Sequence, residues 1–325
     1  MADHKNDKPP LLALVGPTAV GKSELAMQIA PRLKAEIICA DSAQVYRRLD
    51  IGTAKPTEQE RAAVPHHLCD LVDPDCDFSV AAYQRAAAAA IEEVLRRGRL
   101  PLLVGGTGLY VKALTEAYAF GSKGKNEAVR ARLNREASEL GLPALYRRLE
   151  QVDPAAALKI HPNDQRRIVR ALEFFELEGR PISEQVEQTG RREHPYNLLM
   201  FGLSMPRQQL YRRIELRVEK MIAQGFLEEV KALLKEGFAP DCPGFKILGY
   251  RELVAYLQGL RGWEETIEEI KKQTRHLAKR QFTWFKRDPR IIWLEVGEGK
   301  GLAEAGEIIY RQVKEKIPLQ ANSIT

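Results

Sequence analysis

A short apolar run, Leu11–Val15, passes directly into Gly16-Pro-Thr-Ala-Val-Gly-Lys-Ser23 and then into Leu25, Ile29 and Leu33 at helical spacing. Strand, glycine-bounded loop and helix in that order match GxxxxGK[ST], the phosphate-binding loop. The segment Gly16, Pro17, Thr18, Ala19, Val20, Gly21, Lys22 and Ser23 is therefore expected to hold a diphosphate. Its glycines let successive backbone N–H groups curl around an anion, and the following helix offers its positive end. Lys22 adds a point charge, and the Ser23 hydroxyl can ligate Mg²⁺. Such a loop recognises a diphosphate and its metal, not what the diphosphate is attached to.

The loop opens a longer alternation. Apolar strands at Leu11–Val15, Glu36–Ala40, His67–Val72 and Leu100–Val104 alternate with helical patterns, the plainest being Val80, Tyr83, Ala87, Ile91 and Val94 before Gly98. That order predicts an α/β fold, a doubly wound parallel sheet, whose ligands bind at the carboxyl ends of the strands. Three segments fall there: the phosphate loop, Asp41-Ser-Ala-Gln44, and Gly105-Gly-Thr-Gly108. Asp41 can hold Mg²⁺ through water, act as general base for an acceptor nucleophile, or cap a following helix. Its position at a strand end raises Thr107 above an ordinary turn threonine.

Beyond Gly121 the pattern is helical until Asn197–Ser204, so residues 121–196 are expected to form an all-helical insertion, with the P-loop core at 1–120 and 197–325. A helix beginning at His161–Asp164 should bury Ile168, Leu172 and Phe175 and end at Gly179-Arg-Pro181. Arg166 and Arg170 fall opposite that face, with Arg167 to one side. After Pro206, Leu210, Ile214, Val218 and Met221 form an apolar stripe that contains Arg217. A buried arginine is costly without an anion, so Arg217 should face a polar cavity, with diphosphate or a structural carboxylate as its partner. From Glu264 to Arg287 charge is segregated. Ile267, Ile270, Ala278 and Phe285 line one side, whereas Lys272, Arg275, Lys279 and Lys286 line another, flanked by Lys271, Arg280 and Arg287. A stripe of one sign reads as a surface for a phosphate backbone. A strand at Arg290–Val296, a helix to about Ile317 and a polar tail after Pro318 close the chain.

The 325 residues can bury a large core, and the formal net charge of +6 permits a polyanionic partner without requiring one. No apolar run is long enough to span a bilayer, and the first ten residues are polar without a signal-like apolar segment, so a cytoplasmic location and no membrane partner are expected. Four cysteines lack CxxC pairing, which argues against a disulfide framework. Adjacent His66 and His67 would point to opposite faces of an extended segment, which disfavours a zinc site with Cys69 and Cys76.

Taken together, these motifs resemble the bacterial tRNA dimethylallyltransferases, also called tRNA isopentenyltransferases. The likeness runs nearly the whole length. Gly16–Ser23, Asp41–Tyr46, Ile51–Pro56, Pro65–His67, Gly105–Tyr110, His161–Glu173, Leu248–Glu252 and Thr274–Phe285 carry it. Serine stands for the family's usual threonine at Ser23, alanine for a frequent methionine at Ala43, and histidine for a common aromatic at His276.

The resemblance implies transfer of a dimethylallyl group from dimethylallyl diphosphate to N6 of the adenine beside the anticodon, with Mg²⁺ and the tRNA anticodon stem-loop as partners and a monomeric enzyme. It implies a catalytic set of Asp41, Thr18 and Arg217, with Asp41 taking the amine proton and Thr18 and Arg217 near the bridging oxygen. Asp41, Ser42, Ala43, Gln44, Thr107, Arg130, Gln165, Arg166, Arg167, Ile168 and Val169 would meet tRNA, and Lys272, Arg275 and Lys279 would extend that surface. The target adenine must leave its stack to react. An adenylate-type isopentenyltransferase and a P-loop small-molecule kinase are the alternatives, because both share the loop.

Overall fold

The computed structural model describes residues 8–116, 118, 120, 124–190, 194–298 and 301–317. The polar residues 1–7, the expected insertion boundary at Gly121 and the tail from Pro318 lie outside the described residues. In chain order the elements are β1 Pro10–Val15, α1 Lys22–Ile29, β2 Ala35–Ala40, α2 Glu58–Ala63, β3 His66–His67, α3 Val80–Arg96, β4 Leu100–Gly105 and α4 Gly108–Thr115. Then come α5 Glu127–Glu139, α6 Leu142–Val152, α7 Pro154–Ala157, α8 Gln165–Glu178 and α9 Ile182–Gly190. The chain returns through β5 Asn197–Ser204, α10 Arg207–Ala223, α11 Phe226–Lys235, α12 Tyr250–Leu257, α13 Trp263–Phe285, β6 Ile291–Glu295 and α14 Leu302–Lys316. It divides into two units, Met1–Leu114 with Pro195–Thr325, and Thr115–His194.

In the first unit six strands form one parallel sheet in the order β3-β2-β4-β1-β5-β6. The middle strands are continuous apolar runs because both faces are covered. Leu11, Ala13 and Val15 of β1 enter one core with Tyr83, Ile91 and Val254, whereas Leu12 and Leu14 enter the other with Leu25, Ile29 and Ile309. Since β2, β4, β1 and β5 are neighbours, the loops that follow them emerge side by side at one edge. That edge is where the sequence places its candidate site residues.

The third strand is shorter than the expected His67–Val72. Only His66 and His67 pair with β2, and Val72 makes an isolated bridge to Tyr46. Leu68 and Asp70 have φ of 70° and 59°, which turns the chain out of the sheet. Asp70 is held there by Lys55 at 2.6 Å and Arg61 at 2.7 Å. His66 Nδ1 bonds the Val64 carbonyl at 2.7 Å and His67 Nε2 the Glu36 carboxylate at 2.7 Å, so the two rings serve the strand's own packing.

The second unit is helical. Its clearest element, α8, begins at Gln165, directly after the expected starting segment His161–Asp164, whose last residue Asp164 is the cap and accepts from the Arg167 amide at 3.1 Å. Gly179, at φ 71°, ends it. The expected buried Phe175 is half-buried, and Phe174 takes its place, because α8 packs against α5, α6 and α9 and so buries more than one stripe. Glu173 has no accessible surface. It accepts from Arg130 at 2.9 and 3.0 Å, Arg170 at 2.7 Å and the Asn126 amide at 2.9 Å. Burial alone would raise its pKa, but these donors outweigh burial and hold the carboxyl below the usual carboxylate range.

Candidate active site

The loop after β1 bends through Gly16, Ala19 and Gly21 at φ of 144°, 64° and 105°. At Gly16 a Cβ would lie 2.7 Å from the Leu203 carbonyl of β5, so only glycine lets the loop leave the sheet there. Pro17, expected within the phosphate cradle, has no N–H to donate; its carbonyl accepts from Lys22 Nζ at 2.6 Å. Lys22 is half-buried. Desolvation lowers its pKa from 10.5 to about 7; Asp41 opposes that shift and Arg217 adds to it. The Arg217 guanidinium is likewise lowered by burial and held up by Asp41. Burial thus lowers both cations while Asp41 favours the charged form of each, an arrangement suited to receiving further negative charge. Ser23 is exposed at the start of α1.

After β2 no helix follows Asp41. Its Oδ1 instead accepts from the Ala43 amide at 2.9 Å, closing a tight turn, so the expected capping alternative gives way to a turn-forming one. Thr107, after β4, donates its amide to the Ala40 carbonyl at 3.1 Å, and its Oγ1 accepts from the Ser42 amide at 2.9 Å. Two strand-end loops are thereby locked together around Asp41. Gln44 faces inward: its Nε2 donates to the Thr53 and Ala54 carbonyls at 3.2 Å each, and its Oε1 accepts from Cys39 Sγ at 3.1 Å. It braces the 51–56 loop.

A family model described as IPP transferase matches residues 44–288, and one described as isopentenyl transferase matches residues 9–68. The tRNA dimethylallyltransferase of Symbiobacterium thermophilum is 50% identical over 312 residues, covering 96% of this chain and 97% of that relative. That of Moorella thermoacetica is 51% identical over 298 residues, covering 90% and 92%. The chain belongs to the tRNA dimethylallyltransferase family. Among solved structures, the full-length tRNA isopentenylpyrophosphate transferase of Bacillus halodurans is 43% identical with a TM-score of 0.70, covering 95% of this chain and 98% of that one. A eukaryotic dimethylallyltransferase, described as acting on tRNA, is 28% identical with a TM-score of 0.82, covering 97% and 81%.

For a tRNA dimethylallyltransferase, the remaining residues that the sequence singles out are placed unevenly. Gln165, Arg166 and Arg167 are exposed at the start of α8, with Gln165 Nε2 on Asn134 at 2.9 Å and Arg167 beside Asp164 at 3.4 Å. Ile168 and Val169 are buried in the core of the second unit, so their side chains are not presented to a partner. Arg130 is committed to Glu173 as a two-pronged pair rather than standing free for RNA. On α13, Arg275 pairs with Glu215 at 2.9 Å, Lys271 with Glu219 at 3.0 Å, and Lys272 approaches Glu269 at 3.5 Å. Glu215 and Glu219 come from α10, which the spacing within α13 could not reveal, whereas Glu268, 3.2 Å from Lys271, and Glu269 belong to α13 itself. Lys279, Arg280, Lys286 and Arg287 remain exposed toward the C-terminal half. Two residues of the site lie in the Thr274–Phe285 segment but are assigned no role from the sequence. Gln281 joins two site loops, and Trp284, 42% exposed, packs on Gly108, whose added Cβ would lie 2.2 Å from the indole.

Proposed function

We propose that this protein transfers the dimethylallyl group of dimethylallyl diphosphate to N6 of the adenine beside the anticodon of tRNA. The observation that carries this reading is the electrostatic coupling of Asp41, which follows β2, to Lys22 in the loop-helix junction after β1 and to Arg217 of α10. The loop amides and Lys22 receive the diphosphate, while Thr18 and Arg217 serve its bridging oxygen. As the allylic carbon–oxygen bond breaks, its electron pair leaves on the diphosphate. The N6 lone pair forms the new carbon–nitrogen bond, and Asp41 takes the N6 proton.

Among the described residues no three acidic, histidine or cysteine side chains converge as a cage. Ser23 would supply one ligand; Asp41 would supply a second through water only in the alternative in which it is not the base. Bound Mg²⁺ supplies neutralisation of leaving-group charge. No described helix is long and apolar enough to cross a membrane. The reading is tested by offering labelled dimethylallyl diphosphate with either unmodified tRNA or free adenine nucleotide. Label in tRNA supports it, whereas label in the nucleotide alone, or transfer of phosphate instead of the prenyl group, contradicts it.

Proton linkage follows from Lys22. With a pKa of about 7 in the free protein, the ammonium is largely neutral above that pH. A bound diphosphate favours the charged form, so binding takes up a proton and weakens as pH rises through 7. Calorimetry at about pH 8 in buffers of different ionisation enthalpy should show close to one proton taken up per dimethylallyl diphosphate bound. No buffer dependence would contradict the assignment of Lys22.

RNA affinity is assigned to the exposed end of α13. Neutralising Lys279, Arg280, Lys286 and Arg287 together should lower the slope of log K against log salt for tRNA by about 0.9 for each phosphate that is no longer neutralised. A slope equal to the parent's would make these residues a solvated face.

A further inference from the structure

Gln281 lies on α13, in none of the three strand-end loops, yet it bonds two of them. Its Oε1 accepts from the Thr18 amide at 2.8 Å, and its Nε2 donates to the Gly106 carbonyl at 3.1 Å. The fit is close, since a Cβ added at Gly106 would come within 2.4 Å of Nε2. From Gly106 the backbone continues to Thr107, whose hydroxyl receives the Ser42 amide, and Ser42 adjoins Asp41. One side-chain amide therefore ties the diphosphate loop to the Gly105–Gly108 loop, and through Thr107 to the carboxylate.

Only a group with an acceptor and a donor on one planar end satisfies both bonds. Glutamate keeps the acceptor and loses the donor; leucine loses both. The Thr18 amide is also engaged by protein, which fixes the backbone at the residue assigned to the bridging oxygen.

We propose that Gln281 is a positioning residue that sets the spacing between the diphosphate loop and the loop carrying Asp41, and hence the approach of the prenyl carbon to the amine. The proposal rests on reading residues 16–23 as the donor site. It assigns Gln281 to the chemical step rather than to RNA affinity. Misplacement by about 1 Å can cost a reaction up to about 10²-fold.

The test compares Gln281→Glu and Gln281→Leu in the full chain, by single-turnover rate and by KM for tRNA. Both should lower the rate by about 10- to 100-fold at neutral pH, with KM for tRNA within about twofold of the parent. The glutamate variant carries a further signature. Its carboxylate faces the Gly106 carbonyl, and protonation restores the missing donor, so its rate relative to the parent should rise as pH falls from about 8 to about 6. The leucine variant should show no such recovery. Parent-like rates in both variants, a glutamate profile parallel to the parent's, or a loss confined to KM for tRNA would each overturn the proposal. If Gln281→Leu fails to fold, the pH profile of Gln281→Glu still decides it. Lys22→Ala separates the layers: parent kinetics in that variant would remove the donor-site reading itself, whereas a defective Lys22→Ala beside parent-like Gln281 variants would overturn only the positioning role.

Discussion

Asp41→Asn should slow prenyl transfer by roughly 10²- to 10⁴-fold while leaving donor binding intact, because general-base catalysis is commonly worth that much. Asparagine suits the test for a structural reason. Oδ1 of Asp41 accepts from the Ala43 amide at 2.9 Å, and an asparagine oxygen can keep that bond, so the turn and its neighbours Ser42 and Thr107 stay in place. What is lost is basicity. If Asp41 acts instead through a water on Mg²⁺, the variant should need more metal and recover with excess. Single-turnover rates across a Mg²⁺ titration, at saturating tRNA and donor, separate the roles. A slow rate insensitive to metal supports the base, and recovery toward the parent rate refutes it.

Lys22→Ala should be nearly as damaging and in a different way. Lys22 sits between the Pro17 carbonyl at 2.6 Å and the electrostatic influence of Asp41 and Arg217. Its charge is strengthened by the arrival of the diphosphate and most useful as the leaving group gains charge, so its loss should cost roughly 10²–10³ in rate, as removal of one preorganised donor does elsewhere. Donor affinity should fall with it. Affinity for tRNA should not change, since the exposed cations of α13 remain. Unchanged steady-state kinetics, or a defect confined to tRNA binding, would contradict the donor-site assignment.

How far the sequence disclosed this arrangement depended on the range of the interactions involved. β1, β2 and β4 were legible because strands buried on both faces are largely apolar, with Glu36 the buried charged exception in β2, and the loops at their ends follow from that topology. The stripe Leu210, Ile214, Val218 and Met221 was legible for the same reason, and Arg217 stood out against it. β3 was not, because its continuation is pulled from the sheet by ion pairs from Asp70 to Lys55 and Arg61, which no local pattern encodes. Arg130 and Arg170 looked like surface cations, since nothing in the spacing of α8 marks Glu173 as the buried carboxylate they share. Gln281 stands in the Thr274–Phe285 segment that carries the resemblance, but its role was not legible. Its partners lie 263 and 175 residues away, and on its own helix it is one more polar residue among cations.

Mass spectrometry of tRNA nucleosides after incubation with dimethylallyl diphosphate and Mg²⁺ tests the transfer reaction most directly. The expected result is an adenosine carrying one five-carbon prenyl group, formed in tRNA that has adenine beside the anticodon and absent when that adenine is replaced. Unmodified nucleosides despite bound donor and tRNA, or a prenyl group that persists after the replacement, would contradict it.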